Sequence, residues 1–304
     1  MAKPLKNIGA SVRHRLLNKA REEGRPFQEL LQYYAIERFL YRLSVSFFAE
    51  SFILKGALLL RVWHAPLSRP TMDIDMLGRT GNDPENITSM IRELLATEDQ
   101  NDGIVFDLDS VTLEAITEDA EYEGLRIRFR GLLDSARITM QLDVGFGDKV
   151  YPDPLKHSLP SMLDFPEAVL YCYSRESSIA EKFEAMVKLG MLNSRMKDFY
   201  DIWMLSRQYD VEGASLSEAI RQTFEQRGTE LFHPVSVFSI EFIEEKQVQW
   251  NAFRNRIGLE YLPVRFGEVV LQVQVFLSPA VEALMAKRVF QDSWIAPDSW
   301  HVGT

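Results

Sequence analysis

The chain has 304 residues, 46% of them hydrophobic, and a formal net charge of −10. That is enough apolar material for a substantial core over two domains, and an acidic total speaks against a nonspecific nucleic-acid binder, whose affinity comes from counterion release by a basic surface. A single cysteine, Cys172, excludes an internal disulfide and points to a reducing compartment, while five scattered histidines argue against a structural zinc site.

In chain order, the start Met1-Ala2-Lys3-Pro4-Leu5-Lys6 leads into charged sequence rather than a signal-peptide core. No 18-residue apolar run is apparent, so neither export nor a membrane span is expected, and the cytoplasm is the default. Residues 8–46 carry helical periodicity through Phe27, Leu30, Leu31, Tyr34, Ala35, Phe39, Leu40 and Leu43, with basic residues Arg13, His14, Arg15, Lys19 and Arg21 ahead of them. From Phe48 to Tyr173 the pattern is mixed. Strands are predicted at 51–54, 72–76, 104–108, 125–130 and 137–144, and helices near 57–63 and 84–97, the latter opened by Gly81-Asn82-Asp83-Pro84. Arg126, Arg128 and Arg130 alternate on one strand face, and a solvated outer face is preferred over a phosphate-contacting stripe.

Beyond Ser177-Ser178 the pattern is mainly helical, starting with Ser178 and Glu181 as a capping box. Further helices are predicted at 197–207, 215–227, 238–256 and 278–288, and Leu259–Val275 reads as either strand or helix. Asp198 and Asp201 share a helix face, which on residues alone is an ordinary solvent-facing salt-bridge pair with Lys197. Trp294 and Trp300 tie down the last stretch by aromatic docking. The expected fold class is α+β, with N-terminal helices and a mixed-sheet domain over residues 1–175 and a mainly helical domain over 176–304.

Chemistry concentrates at Thr71-Met72-Asp73-Ile74-Asp75. Side chains on a strand alternate faces, so Asp73 and Asp75 point together while Ile74 faces the core. Two crowded carboxylates repel unless a cation joins them, and hard oxygen donors favour Mg²⁺ or Mn²⁺ shared with substrate phosphates. Asp143, on a later alternating strand with Gln141 and Thr139, is taken as the third metal ligand. Upstream, the strand ending in Lys55 runs into Gly56 and a short apolar helix, an arrangement suited to holding a triphosphate.

Five segments resemble, in order, the motifs of AbiEii-type nucleotidyltransferase toxins. They are Leu54-Lys55-Gly56-Ala57-Leu58, Arg69-Pro70-Thr71-Met72-Asp73-Ile74-Asp75, Leu142-Asp143-Val144-Gly145, Ala180-Glu181-Lys182-Phe183 and Arg195-Met196-Lys197-Asp198-Phe199-Tyr200-Asp201. The resemblance implies a nucleotidyltransferase-fold domain followed by a helical domain with a nucleoside triphosphate cleft, and a cognate antitoxin encoded next door. It implies that Asp73 and Asp75 hold the metal, that Lys55, Gly56, Ala57 and Lys182 contact the nucleotide, and that Asp198 is the catalytic acid for the acceptor hydroxyl. Related MenT toxins modify the acceptor end of tRNA, and AbiEii proteins take part in abortive phage defence. That makes an RNA acceptor, tRNA, the expected partner. Where the family has Gly-Gly followed by Ser or Thr, this chain has Gly56-Ala57-Leu58, and Thr71 is the candidate for the missing hydroxyl. Two alternatives stand beside this reading: an aminoglycoside-type small-molecule nucleotidyltransferase, and a nucleotide-binding module with a degenerate site.

Overall fold

The computed structural model describes residues 7–65, 71–97, 101–119, 122–297 and 299–302, so Arg69, Pro70 and the first six residues lie outside the described residues. The chain divides into two units, one of residues 1–147 and 155–172, the other of residues 148–154 and 173–304.

The first unit opens with α1 (Ile8–Glu23), whose first turn is capped by the Asn7 side chain accepting from the Ala10 N–H, and which ends where Gly24 turns left-handed at φ 64°. Next comes α2 (Phe27–Ser44), buried on nearly every side. Then follow β1 (Phe52–Lys55), a 3-10 turn over Gly56–Leu58, the single-turn α3 (Leu59–Val62), β2 (Asp73–Gly78) and α4 (Pro84–Ala96). Asp83 caps α4 by accepting from the Asn86 N–H, with Pro84 in the first turn where its missing donor costs nothing. The remaining strands are β3 (Ile104–Asp119), β4 (Tyr122–Leu133), β5 (Ala136–Phe146), β6 (Leu155–Leu159) and β7 (Ala168–Cys172). They form a seven-stranded mixed sheet in the order β3-β4-β5-β2-β1-β7-β6, with β2 parallel to β5 and β1 parallel to β7.

Period-2 alternation sets the two faces of this sheet. Ile74, Leu142 and Ile127 stand in register on one face and are fully buried, while Asp75, Asp143 and Arg126 stand in register on the other. Helix α2 packs against β5 and β7, and its Gln32 side-chain amide donates to the carbonyls of Thr139 and Met72 at 2.9 and 3.3 Å. Being buried, α2 must satisfy its own charges. The Arg42 guanidinium grips Asp102 at 2.8 and 3.2 Å, and Glu37 accepts from Arg61 at 2.9 Å and from the Met162 N–H at 3.0 Å. Those partners lie far away in sequence, so the helix fastens distant segments to the sheet.

In the second unit, α5 (Arg175–Leu189), α6 (Met196–Gln208), α7 (Gly213–Gln226), α8 (Ile240–Ile257) and α9 (Phe266–Met285) pack together. A small sheet accompanies them, built from β8 (Val211–Glu212), β9 (Ser293–Ile295) and β10 (Ser299–His301). Trp294 is fully buried and its indole N–H donates to the Ser206 carbonyl at 2.6 Å, which accounts for the docked tail. Leu259–Val275 resolves mostly as helix, because Val269, Val270, Val273, Phe276 and Leu277 form one buried stripe of α9. By length and composition α9 is apolar enough to cross a bilayer, contrary to the sequence reading; nine of its residues are buried, and it packs on α6, α7 and α8.

Two expectations are corrected. The cap of α5 is Ser174, which accepts from the Ser177 N–H at 3.0 Å, and Ser178 is buried inside the helix, so the Ser178–Glu181 capping box does not form. The strand expected at 104–108 continues as β3 to Asp119 past an irregularity between Asp107 and Thr112, which lets polar residues interrupt the alternation.

Candidate active site

The acidic pair is assembled by β2. Asp73 is exposed and Asp75 half-buried, two residues apart on one face, with the fully buried Ile74 between them. Gly56 explains what precedes it. Its φ is +74°, a left-handed conformation, and a Cβ built there would lie 1.9 Å from Oδ2 of Asp75. The Asp75 carboxylate therefore sits directly against the Gly56 backbone, at the mouth of the turn formed by Gly56, Ala57 and Leu58. Lys55 stands opposite Asp75 in the β1–β2 register. Thr71 lies just before β2, where its N–H donates to the Tyr33 hydroxyl at 2.9 Å.

Across the sheet, register produces a row of charge: Lys55 opposite Asp75, Asp75 opposite Asp143, Asp143 opposite Arg126, and Arg126 opposite Glu114. Asp143 thus neighbours Asp75 on the same face, as the sequence reading requires of a third ligand. Its carboxylate, however, is gripped by Arg126, with Nε at 2.8 Å from Oδ1 and Nη2 at 2.7 Å from Oδ2. Arg128 pairs with Glu114 at 2.9 Å and Arg130 with Asp107 at 2.9 Å, both arginines reaching solvent with nearly half of the side chain, which matches the solvated-face reading of those two. Among the described residues no three His, Cys, Asp or Glu side chains group as a metal cage. The pair Asp73 and Asp75 nonetheless suits Mg²⁺ or Mn²⁺, which take few protein oxygens and fill the rest of their shell with water and phosphate. At Gly56 the Asp75 carboxylate occupies the space where a side chain would stand.

The second unit presents a separate cluster of charge. Lys182 on α5 reaches Asp201 at 2.9 Å and Asp198 at 3.5 Å, both on α6. Asp198 also accepts from Arg195 Nε at 2.6 Å. Asp198 and Asp201 are 0% and 1% exposed, so the solvent-facing salt bridge suggested by the residues alone is not what forms. Arg195 is not among the expected site residues; its signal in the sequence is the i,i+3 spacing to Asp198 at the helix start, where a first-turn carboxylate also meets the helix dipole. Asp198 is thus held between two cations and out of solvent. Beside this cluster the part-buried Arg227 joins Asp148 at 3.1 Å, Glu184 at 2.9 Å and Glu181 at 3.4 Å. Burial opposes its charge, yet these three carboxylates raise its pKa above the ordinary arginine value.

The family model described as "Nucleotidyl transferase AbiEii toxin, Type IV TA system" matches residues 38–287. The chain belongs to this family. AbiEii membership makes it a nucleotidyltransferase of the type IV toxin–antitoxin kind, with a nucleoside triphosphate as substrate and an antitoxin as partner. The curated proteins give no match. Among solved structures, a proposed nucleotidyltransferase from H. pylori is 14% identical, with 86% of this chain and 99% of that chain covered and a TM-score of 0.45. JHP933 from Helicobacter pylori is 13% identical, with 86% and 97% covered and a TM-score of 0.46. At those values neither structure adds to the family assignment.

Proposed function

We propose that this AbiEii chain transfers a nucleotidyl group from a nucleoside triphosphate to the acceptor end of an RNA, tRNA, and so blocks translation as the toxin half of a phage-defence pair in the cytoplasm. The observation that carries this reading is the Asp75 carboxylate seated against the Gly56 backbone at φ +74°, which joins the acidic strand to the turn that opens at Gly56.

Asp73 and Asp75 would hold Mg²⁺ or Mn²⁺, which when bound supplies charge neutralisation at the α-phosphate and the leaving pyrophosphate. The N–H groups of Ala57 and Leu58 cradle phosphate oxygens, and Lys55 adds a cation at the end of β1. Thr71 is the hydroxyl candidate beside them, and its place just ahead of Asp73 is fixed from Tyr33. Lys182 neutralises the triphosphate, and Asp198 and Asp201 hold its ammonium in place. To take the acceptor proton Asp198 would first have to be uncovered, so orientation of Lys182 and Arg195 is the role its burial favours. Most of the acceleration then comes from positioning and fixed charge.

The test is incubation with each labelled nucleoside triphosphate, Mg²⁺ and either total tRNA or a panel of small cationic acceptors. Label on tRNA is the expected result. Label on an aminoglycoside-type acceptor, the alternative favoured by the net charge of −10, would replace the toxin reading. Label on neither, with nucleotide still bound, would leave a binding module.

A further inference from the structure

Asp143 stands in register beside Asp75, on the same face of the adjacent parallel strand, where a third carboxylate would reach an ion held by Asp75. Both of its oxygens instead face Arg126 in a bidentate pair at 2.8 and 2.7 Å, and Gln141 Nε2 adds a weaker donor to Oδ2 at 3.4 Å. A guanidinium fork matched to a carboxylate is the strongest common form of this contact, and its charge persists at every working pH. Arg126 is further anchored on its other side by Glu114 at 3.8 Å. The hydrogen bonding that Arg126 donates to Asp143 is the largest cause holding the arginine's pKa above its ordinary value, and the negative charges of Asp143, Glu114 and Asp73 contribute as well. The next arginine on the same face, Arg128, pairs instead with the exposed Glu114 and with Gln141, so the grip on Asp143 is specific to position 126.

We propose that Arg126 is a built-in cation of the acidic site: it occupies Asp143 in place of a metal ion, so divalent metal is held through Asp73 and Asp75 while the protein itself supplies the charge a second ion would bring. This rests on the reading of Asp73 and Asp75 as the metal pair. It has a direct consequence for the protein without nucleotide. A third carboxylate neutralised by arginine neither draws metal nor needs it, so the metal-free site carries less self-repulsion than three bare acids would.

Mn²⁺ binding to the full chain, followed by the paramagnetic resonance signal of free Mn²⁺ in the absence of nucleotide, tests this without reference to turnover. Wild type and Asp143→Asn should bind Mn²⁺ within about twofold of each other, because the residue removed was not a ligand. Arg126→Met should tighten Mn²⁺ binding roughly tenfold or more by uncovering a carboxylate. Adding Asp143→Asn to Arg126→Met should abolish that gain. Arg126→Lys, which keeps the charge but loses the fork, should fall between, and it carries the same comparison if the methionine variant does not fold. An Asp75-dependent Mn²⁺ site that weakens tenfold or more in Asp143→Asn, or that gains nothing from either Arg126 variant, overturns this inference and leaves the metal reading standing. Mn²⁺ binding indifferent to Asp75→Asn overturns both.

Discussion

A methyl group at position 56 would sit 1.9 Å from Oδ2 of Asp75 on a backbone already turned to φ +74°. Gly56→Ala should therefore cost about 1–2 kcal/mol for the left-handed backbone and push the Asp75 carboxylate out of place as well. Calorimetry should show a lower Tm, and nucleotide transfer should fall by about a hundredfold, the scale expected when a reacting group is misplaced by about an ångström. Asp73 and Lys182 are both assigned to the nucleotide but should behave differently when removed. Asp73 is exposed, so Asp73→Ala should abolish transfer with Tm unchanged. Lys182 is the counter-charge of two carboxylates with almost no solvent contact, so Lys182→Met should lose transfer and also about 3–5 kcal/mol of stability in denaturant titration. Asp198→Asn keeps the shape and removes the charge. A rise in KM for the nucleotide with a modest fall in kcat would match a positioning role, whereas a collapse of kcat at unchanged KM would restore it as the acid.

At the scale of elements, what could be read from sequence is what periodicity encodes. Helix α1 and strand β5 fall where three-to-four and two-residue spacing place them, because each buries one stripe or face, while α2, α6, β1 and β2 are found from their apolar runs and neighbouring signals. The start of α5 was missed because Ser174, Ser177 and Ser178 all qualify as caps, and the side-chain bond that decides among them is a tertiary fact. β6 gives little signal, since three of its five residues are exposed. The same limit applies at the site. The Asp73–Asp75 pair is local and readable, but the grip of Arg126 on Asp143 depends on strand register, and the burial of Asp198 depends on α5. The charges of α2 were equally unreadable as anchors, their partners lying 60 residues away for Arg42 and 125 for Glu37. Arg42→Met should take the guanidinium away from the buried Asp102 carboxylate, at a cost of about 3–5 kcal/mol in chemical denaturation. Adding Asp102→Asn to that variant should recover part of the loss.

For the molecule as a whole, Cys172 serves as a reporter of integrity. Burial in β7 pushes its thiol from an ordinary value of 9.0 up to about 12. Because the folded value lies above the unfolded one, the contribution to stability is fully present below pH 9 and is lost as pH rises from 9 toward 12, where the unfolded thiol ionises and the folded one does not. Thermal melts should show Tm falling across that window by more in wild type than in Cys172→Ala. At pH 8 an alkylating reagent should label Cys172 at the rate of unfolding, and labelling as fast as a free thiol would show the β1–β7 pairing open in the native state.

The polypeptide passes between the two units three times, at residues 147/148, 154/155 and 172/173. Seven early residues, with Asp148 bound to Arg227 and Tyr151 bound to Ser177, belong to a body whose other members are synthesised later. A fragment beginning at residue 173 would lack them, leaving Arg227 short of a carboxylate, so the helical half cannot be cut out cleanly at any single bond. On the ribosome, those seven residues must wait for more than a hundred others to emerge, while the last strand of the large sheet is threaded in after them. Assembly of this toxin is thus ordered by its own itinerary, and a circular permutant joining its ends and opening the loop near residue 154 should refold on a different schedule from the natural chain.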